Sequence, residues 1–153
     1  STLPLPWNAI YRWDPAKWAF SEAEGVLGAY RRFVRGAPSA VNDYPVIAQY
    51  DAYWVDAPAA NVASLNPNPP PGRTIELAAG WNNFTYTGPA RAVADALASI
   101  AGKYDQVLEY DNATGRWLSH LPGQPRYLND FGGLFTFRVY WISMSEPGQL
   151  VMQ

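Results

Sequence analysis

The chain has a single histidine, His120, and no cysteine. A Ser-His-Asp relay or an imidazole metal site would have to be built around that one ring. The lack of cysteine removes a disulfide scaffold, a thiolate metal site and cysteine catalysis. His120 aligns with Phe33 in an internal repeat set out below, so its position accepts a plain aromatic ring, and it is expected to be structural or solvent-facing. Two Asp pairs could serve carboxylate hydrolysis: Asp43 with Asp130, and Asp14 with Asp111. Each pair is repeat-equivalent, and Asn and Asp at strand ends cap turns with their side chains. Asp111-Asn112 could offer oxygens to calcium, but no dense run of alternating acids surrounds them. Gly132-Gly133 lacks the Lys and the strand-to-helix setting of a phosphate loop. No catalytic constellation emerges. The chain is expected to be no enzyme and to carry no cofactor and no metal.

Aromatic side chains are the remaining candidates. Seven Trp and ten Tyr stand among 153 residues. Such rings bring large apolar area with a polar tip and suit cores, interfaces and sugar platforms alike. Trp13, Trp18, Tyr30, Tyr110 and Trp117 flank a predicted hairpin and are the best candidates for an exposed binding platform. Exposed, coplanar rings at Trp13, Trp18 and Trp117 would favour a glycan. Burial against another subunit would favour assembly. Arg31, Arg32 and Arg35 form a small basic cluster able to pair with acids across an interface. A net charge of −2 gives no electrostatic case for nucleic acid or an anionic membrane. No apolar stretch reaches membrane-span length. Asn83 and Asn112 each head an N-glycosylation acceptor pattern. The start Ser1-Thr2-Leu3-Pro4 has no Met, consistent with a processed or trimmed chain, and no signal peptide is visible.

The elements that must position these residues come as a repeat. Residues 30–56 lie over residues 117–143 at a constant offset of 87 (117 − 30, and equally 143 − 56). Gly36, Pro38, Asn42, Asp43, Tyr53 and Trp54 fall on Gly123, Pro125, Asn129, Asp130, Tyr140 and Trp141. Apolar character is kept between them, as at Val41/Leu128, Tyr44/Phe131 and Val55/Ile142. Self-similarity of this kind decides architecture before local signals do.

The second copy predicts strands over 74–77, 81–86, 105–110, 116–121, 138–143 and 149–152, with a tight turn at 111–115. Val93, Leu97 and Ile100 make one apolar stripe after Pro89 and before Gly102. That spacing predicts one clear amphipathic helix over about 89–101. The first copy matches only the later part. Its segment 10–14 resembles 107–111 at an offset of 97, so ten extra residues lie near 18–29, including Ser21-Glu22-Ala23-Glu24 as a helix start. Upstream of Ile10 nine residues remain where the second copy has about thirty. Trp7-Asn8 could be a remnant of Trp81-Asn82. The expected class is therefore α+β, strand-rich, with two related half-units: an incomplete first repeat at 1–65, a Pro-rich linker at 66–73 and a complete second repeat at 74–153. A half-unit lacking its helix leaves a bare sheet face and an open strand edge, and both recruit partners. Either the second copy or another chain must cover it.

The order Gly80-Trp81-Asn82, then 94–102, then Leu108-Glu109-Tyr110-Asp111, then Trp117, Asn129-Asp130 and Tyr140-Trp141-Ile142 resembles tryptophan-rich repeat modules of large secreted or cell-surface bacterial proteins. The resemblance covers 75–152 well and 10–62 in part. It implies export to the cell surface or extracellular space and a structural or binding role, and it carries no catalytic residues. The expected function is a non-catalytic interaction module, a subunit of an extracellular assembly held by aromatic burial and strand-edge pairing. Its partners would be other protein chains or copies of itself. A carbohydrate-binding module is the alternative, and a carboxylate-based hydrolase a weaker one.

Overall fold

A computed structural model of the chain describes residues 6–17, 29–44, 47–60, 68 and 72–153. Trp18, the remainder of the expected insertion up to residue 28 and most of the linker at 66–73 lie outside the described residues. The chain divides into two compact units, Ser1–Asn68 and Pro69–Gln153.

In the first unit, three strands form one antiparallel sheet: β1 (Ala9–Trp13), β2 (Tyr30–Val34) and β3 (Trp54–Asp56), in the order β2-β1-β3. Ile10 is wholly buried, together with Trp13, Ala29, Tyr44 and Ala52. Ile10, Tyr11 and Trp13 are the branched and aromatic side chains that strands select, and Arg12 is the one exposed residue of β1. Trp7-Asn8 runs straight into β1, and Asn8 N–H donates to Asp56 O (2.8 Å). It therefore does not stand where Trp81-Asn82 stands in the second unit.

The described residues of the second unit form eight strands: β4 (Arg73–Leu77), β5 (Gly80–Thr85), β6 (Arg91–Ala92), β7 (Tyr104–Asp111), β8 (Arg116–His120), β9 (Gly133–Leu134), β10 (Val139–Met144) and β11 (Gly148–Met152). Its main sheet runs β5-β10-β7-β8, with small pairs β11-β4 and β6-β9 beside it. All pairings are antiparallel. The core lies on one side of the main sheet, where Phe84, Val107, Tyr140 and Ile142 meet Leu97 and Ile100.

The α+β expectation is overturned, because the described residues are strand-dominated and hold no clear amphipathic helix. In place of a helix over 89–101 there is a four-residue turn of α-helix, Val93–Ala96, and a single 3-10 turn, Ala98–Ile100. The apolar stripe is real, for Val93, Leu97 and Ile100 are fully buried. The backbone does other work. Arg91–Ala92 are extended and pair with Gly133–Leu134, and Val93 N–H donates to Gly132 O (3.1 Å). Leu97 departs from helical geometry at φ −105°, ψ 16°. A helix nucleus is costly to form, so sheet pairing at its start leaves only isolated turns. Among the described residues no helix is long and apolar enough to cross a membrane.

Candidate interaction surface

The two units build their sheets from the same bonds. In the first, Arg32 N–H donates to Asp43 Oδ2 (2.8 Å), Asp43 N–H to Arg32 O (2.9 Å) and Val34 N–H to Asn42 Oδ1 (2.7 Å). In the second, Ser119 N–H donates to Asp130 Oδ2 (2.8 Å), Asp130 N–H to Ser119 O (2.9 Å) and Leu121 N–H to Asn129 Oδ1 (2.6 Å). Every pair is displaced by 87 residues. The side chains extend the sheet edge of β2 and of β8 with mock backbone bonds. Tyr53 OH accepts from Ala48 N–H (2.9 Å) as Tyr140 OH accepts from Phe135 N–H (3.0 Å). Even the two left-handed non-glycine residues correspond, Tyr50 at φ 67° and Phe137 at φ 66°.

Register agrees as well. Tyr11↔Trp54 and Ile10↔Val55 in the first unit match Leu108↔Trp141 and Val107↔Ile142 in the second. Ile10↔Phe33 and Trp13↔Tyr30 match Val107↔His120 and Tyr110↔Trp117. The order β2-β1-β3 is thus the order β8-β7-β10, and the β5 counterpart is what the first sheet lacks among the described residues.

With no strand beside β3 among the described residues, one position differs sharply between the units. Ile142 is 0% exposed, flanked by β7 on one side and β5 on the other. Its equivalent Val55 is 40% exposed. Asp56 O accepts from Asn8 across β1, and backbone groups alternate sides along an antiparallel strand. The N–H and C=O of Val55 therefore point to the side where β5 would lie. The sequence names Val55 only as the apolar partner of Ile142; its exposure follows from the lack of a β5 counterpart among the described residues.

The aromatic candidates separate. Trp13 is only 5% exposed and packs edge-on against Tyr30, with ring centroids 5.2 Å apart at 73°. Burial raises the Tyr30 phenol, and a hydrogen bond with Trp54 offsets part of the rise. Tyr110 and Trp117 make the equivalent contact at 5.1 Å and 59°. Trp117 is 47% exposed and begins a row across the outer face of the second sheet, continued by Trp141 and Trp81. Successive tryptophan planes in that row cross at 84° and 67°. Rings set at such angles form ridges, not a flat stacking surface. Trp18 lies outside the described residues.

The carboxylates and the histidine are held in structural bonds. Asp14 accepts from Arg31 Nε (2.6 Å) and Ala16 N–H (3.1 Å). Asp111 accepts from Thr114 Oγ1 (2.7 Å) and Ala113 N–H (2.9 Å), which hold its carboxyl below the usual range. Glu109, which sequence reasoning missed, is buried and paired with Arg138. His120 Nδ1 lies 3.0 Å from Phe131 O, and the ring packs on Phe131 as Phe33 packs on Tyr44. Among the described residues no group of three or more His, Asp or Glu is placed to hold a metal ion. Gly132 and Gly133 belong to the β6-β9 pairing. Of the basic cluster, Arg31 pairs with Asp14, and the Arg35 guanidinium stacks over Trp7 at 5.7 Å.

No protein-family model, no curated protein and no solved structure matches this chain.

Proposed function

We propose that this chain is a non-catalytic interaction module, exported to the cell surface or beyond, whose first unit is completed by a strand from another polypeptide. The observation that supports this most is the pairing of Val55 with Ile142. One position in one sheet design is 40% exposed in the first unit and fully covered in the second. An edge strand with outward backbone groups and a bare branched side chain is a template for strand addition. The resemblance of the motif order to bacterial surface repeat modules supports the exported setting. Crossed ring planes weigh against a flat sugar platform. The acids serve turns and ion pairs, which weighs against a hydrolase.

Light scattering over a range of protein concentrations tests the reading. An open edge self-associates when no other strand is offered, so the particle mass of the isolated chain should rise with concentration. Val55→Pro, which removes an outward N–H, and Val55→Lys, which places a charge on the edge, should both hold it at one chain. A strict monomer at every concentration, unchanged by either substitution, contradicts the proposal.

A further inference from the structure

We infer that the strand received by the first unit is of the β5 type: extended, uncharged, antiparallel to β3, and bearing an aromatic side chain opposite Tyr53. This rests on the reading above and deepens it by naming the chemistry of the partner, a segment of a second polypeptide that carries the same Gly-Trp-Asn-Asn-aromatic-Thr pattern. The second unit supplies the template. There β5 lies against β10 with Phe84 opposite Tyr140 and Asn82 opposite Ile142. Tyr86 N–H donates to Arg138 O (2.9 Å), which makes 84/140 and 82/142 the hydrogen-bonded pairs of that ladder. Carried back by 87 residues, the same pairs set a donor aromatic opposite Tyr53 and a donor backbone against Val55.

Tyr53 is already prepared for such a neighbour. Its hydroxyl is tied to Ala48, and its ring lies tilted against Tyr44 at 6.2 Å and 34°. Tyr140 is held in the same way, with Phe131 at 5.9 Å and 36°, and Phe84 then covers it at 6.0 Å. Among the described residues of the first unit no ring is the counterpart of Phe84. β5 contains no ionisable residue, and the β3 edge ends in the carboxylate of Asp56, so an acidic strand would be disfavoured there.

The test adds a labelled peptide with the sequence of residues 78–87 (Ala-Ala-Gly-Trp-Asn-Asn-Phe-Thr-Tyr-Thr) to the full chain. Two comparison peptides are its scrambled form and a plain strand former of alternating Thr and Val. Fluorescence anisotropy should show saturable binding of the 78–87 peptide, roughly tenfold tighter or more than either comparison. Binding should be lost in Val55→Pro and in Val55→Lys, whose own folding is checked by circular dichroism. Equal binding of all three peptides, still lost in both variants, overturns the β5-type partner while leaving strand addition standing. Binding that ignores both substitutions overturns the inference, since the peptide would be docking elsewhere. No binding by any peptide, with the Val55 amide already protected from exchange in the monomer, overturns the inference and the function proposed above together.

Discussion

Truncating the same repeat position in each unit should have unequal consequences. Ile142→Ala removes three carbons from a side chain with no exposure, between two paired strands. Lost transfer energy and the cavity left behind make this cost about 3–4 kcal/mol. Val55→Ala removes two carbons from a side chain already 40% exposed. At about 0.8 kcal/mol per buried carbon, discounted for exposure, the cost is at most about 1 kcal/mol. The difference of about 2–3 kcal/mol is roughly a 30- to 150-fold difference in the opening equilibrium of the two sheets. Because the two units need not unfold together, the assay is hydrogen exchange in rising urea, read separately in the β1-β2-β3 amides and the β5-β10-β7-β8 amides. A Val55→Ala cost equal to that of Ile142→Ala would refute the reasoning, because it would show Val55 to be fully covered within its own chain.

Three further outcomes are expected. Asn42→Ala and Asn129→Ala each delete the acceptor for one strand-edge N–H, of Val34 and Leu121. Each should lower the stability of its own unit by about 1–2 kcal/mol in denaturant titrations, and a large disparity would argue against the two bonds being equivalent. Burial pushes the Tyr140 phenol up to about 12, against an ordinary value of 10.0. The unfolded phenol ionises first, so stability should be flat below about pH 10 and fall by about 2 kcal/mol between pH 10 and 12. Alkaline unfolding curves should show a shallower fall in Tyr140→Phe, which also loses about 1 kcal/mol at neutral pH by orphaning Phe135 N–H. A methyl group at Gly88 would stand 2.5 Å from the hydroxyl of the buried Tyr86, which itself donates to Pro89 O. Gly88→Ala should therefore cost about 1–3 kcal/mol in thermal unfolding, and a neutral result would mean that the Tyr86 ring moves freely.

The constant spacing between Asn42-Asp43 and Asn129-Asp130 could be read from the residues because those side chains make backbone-like bonds. Each set of bonds fixes an eleven-residue spacing inside its own copy, Arg32 to Asp43 and Ser119 to Asp130, and an insertion within either span would break it. The strands of the second unit were legible where aromatic and branched residues alternate, as in β5 and β10. Residues 89–101 misled for a physical reason: Val93, Leu97 and Ile100 are buried at helical spacing, yet Arg91–Ala92 pair with β9 and stop the helix from starting earlier. Spacing reports which side chains are inside, and backbone competition decides the element. Trp13, Tyr30, Tyr110 and Trp117 were legible as aromatics flanking a hairpin, but not that Trp13 would be covered against Tyr30 while Trp117 stays exposed. Val55 carried no signal of its own, because exposure at that position is set by whether a neighbouring strand exists.

Amide hydrogen exchange at Val55 and Ile142, measured by NMR on the isolated monomer, addresses the open edge most directly. Val55 N–H should exchange close to the rate of an unprotected amide while Ile142 N–H, held by β5, exchanges orders of magnitude more slowly. Comparable protection at the two positions would contradict the reading that the first sheet is one strand short.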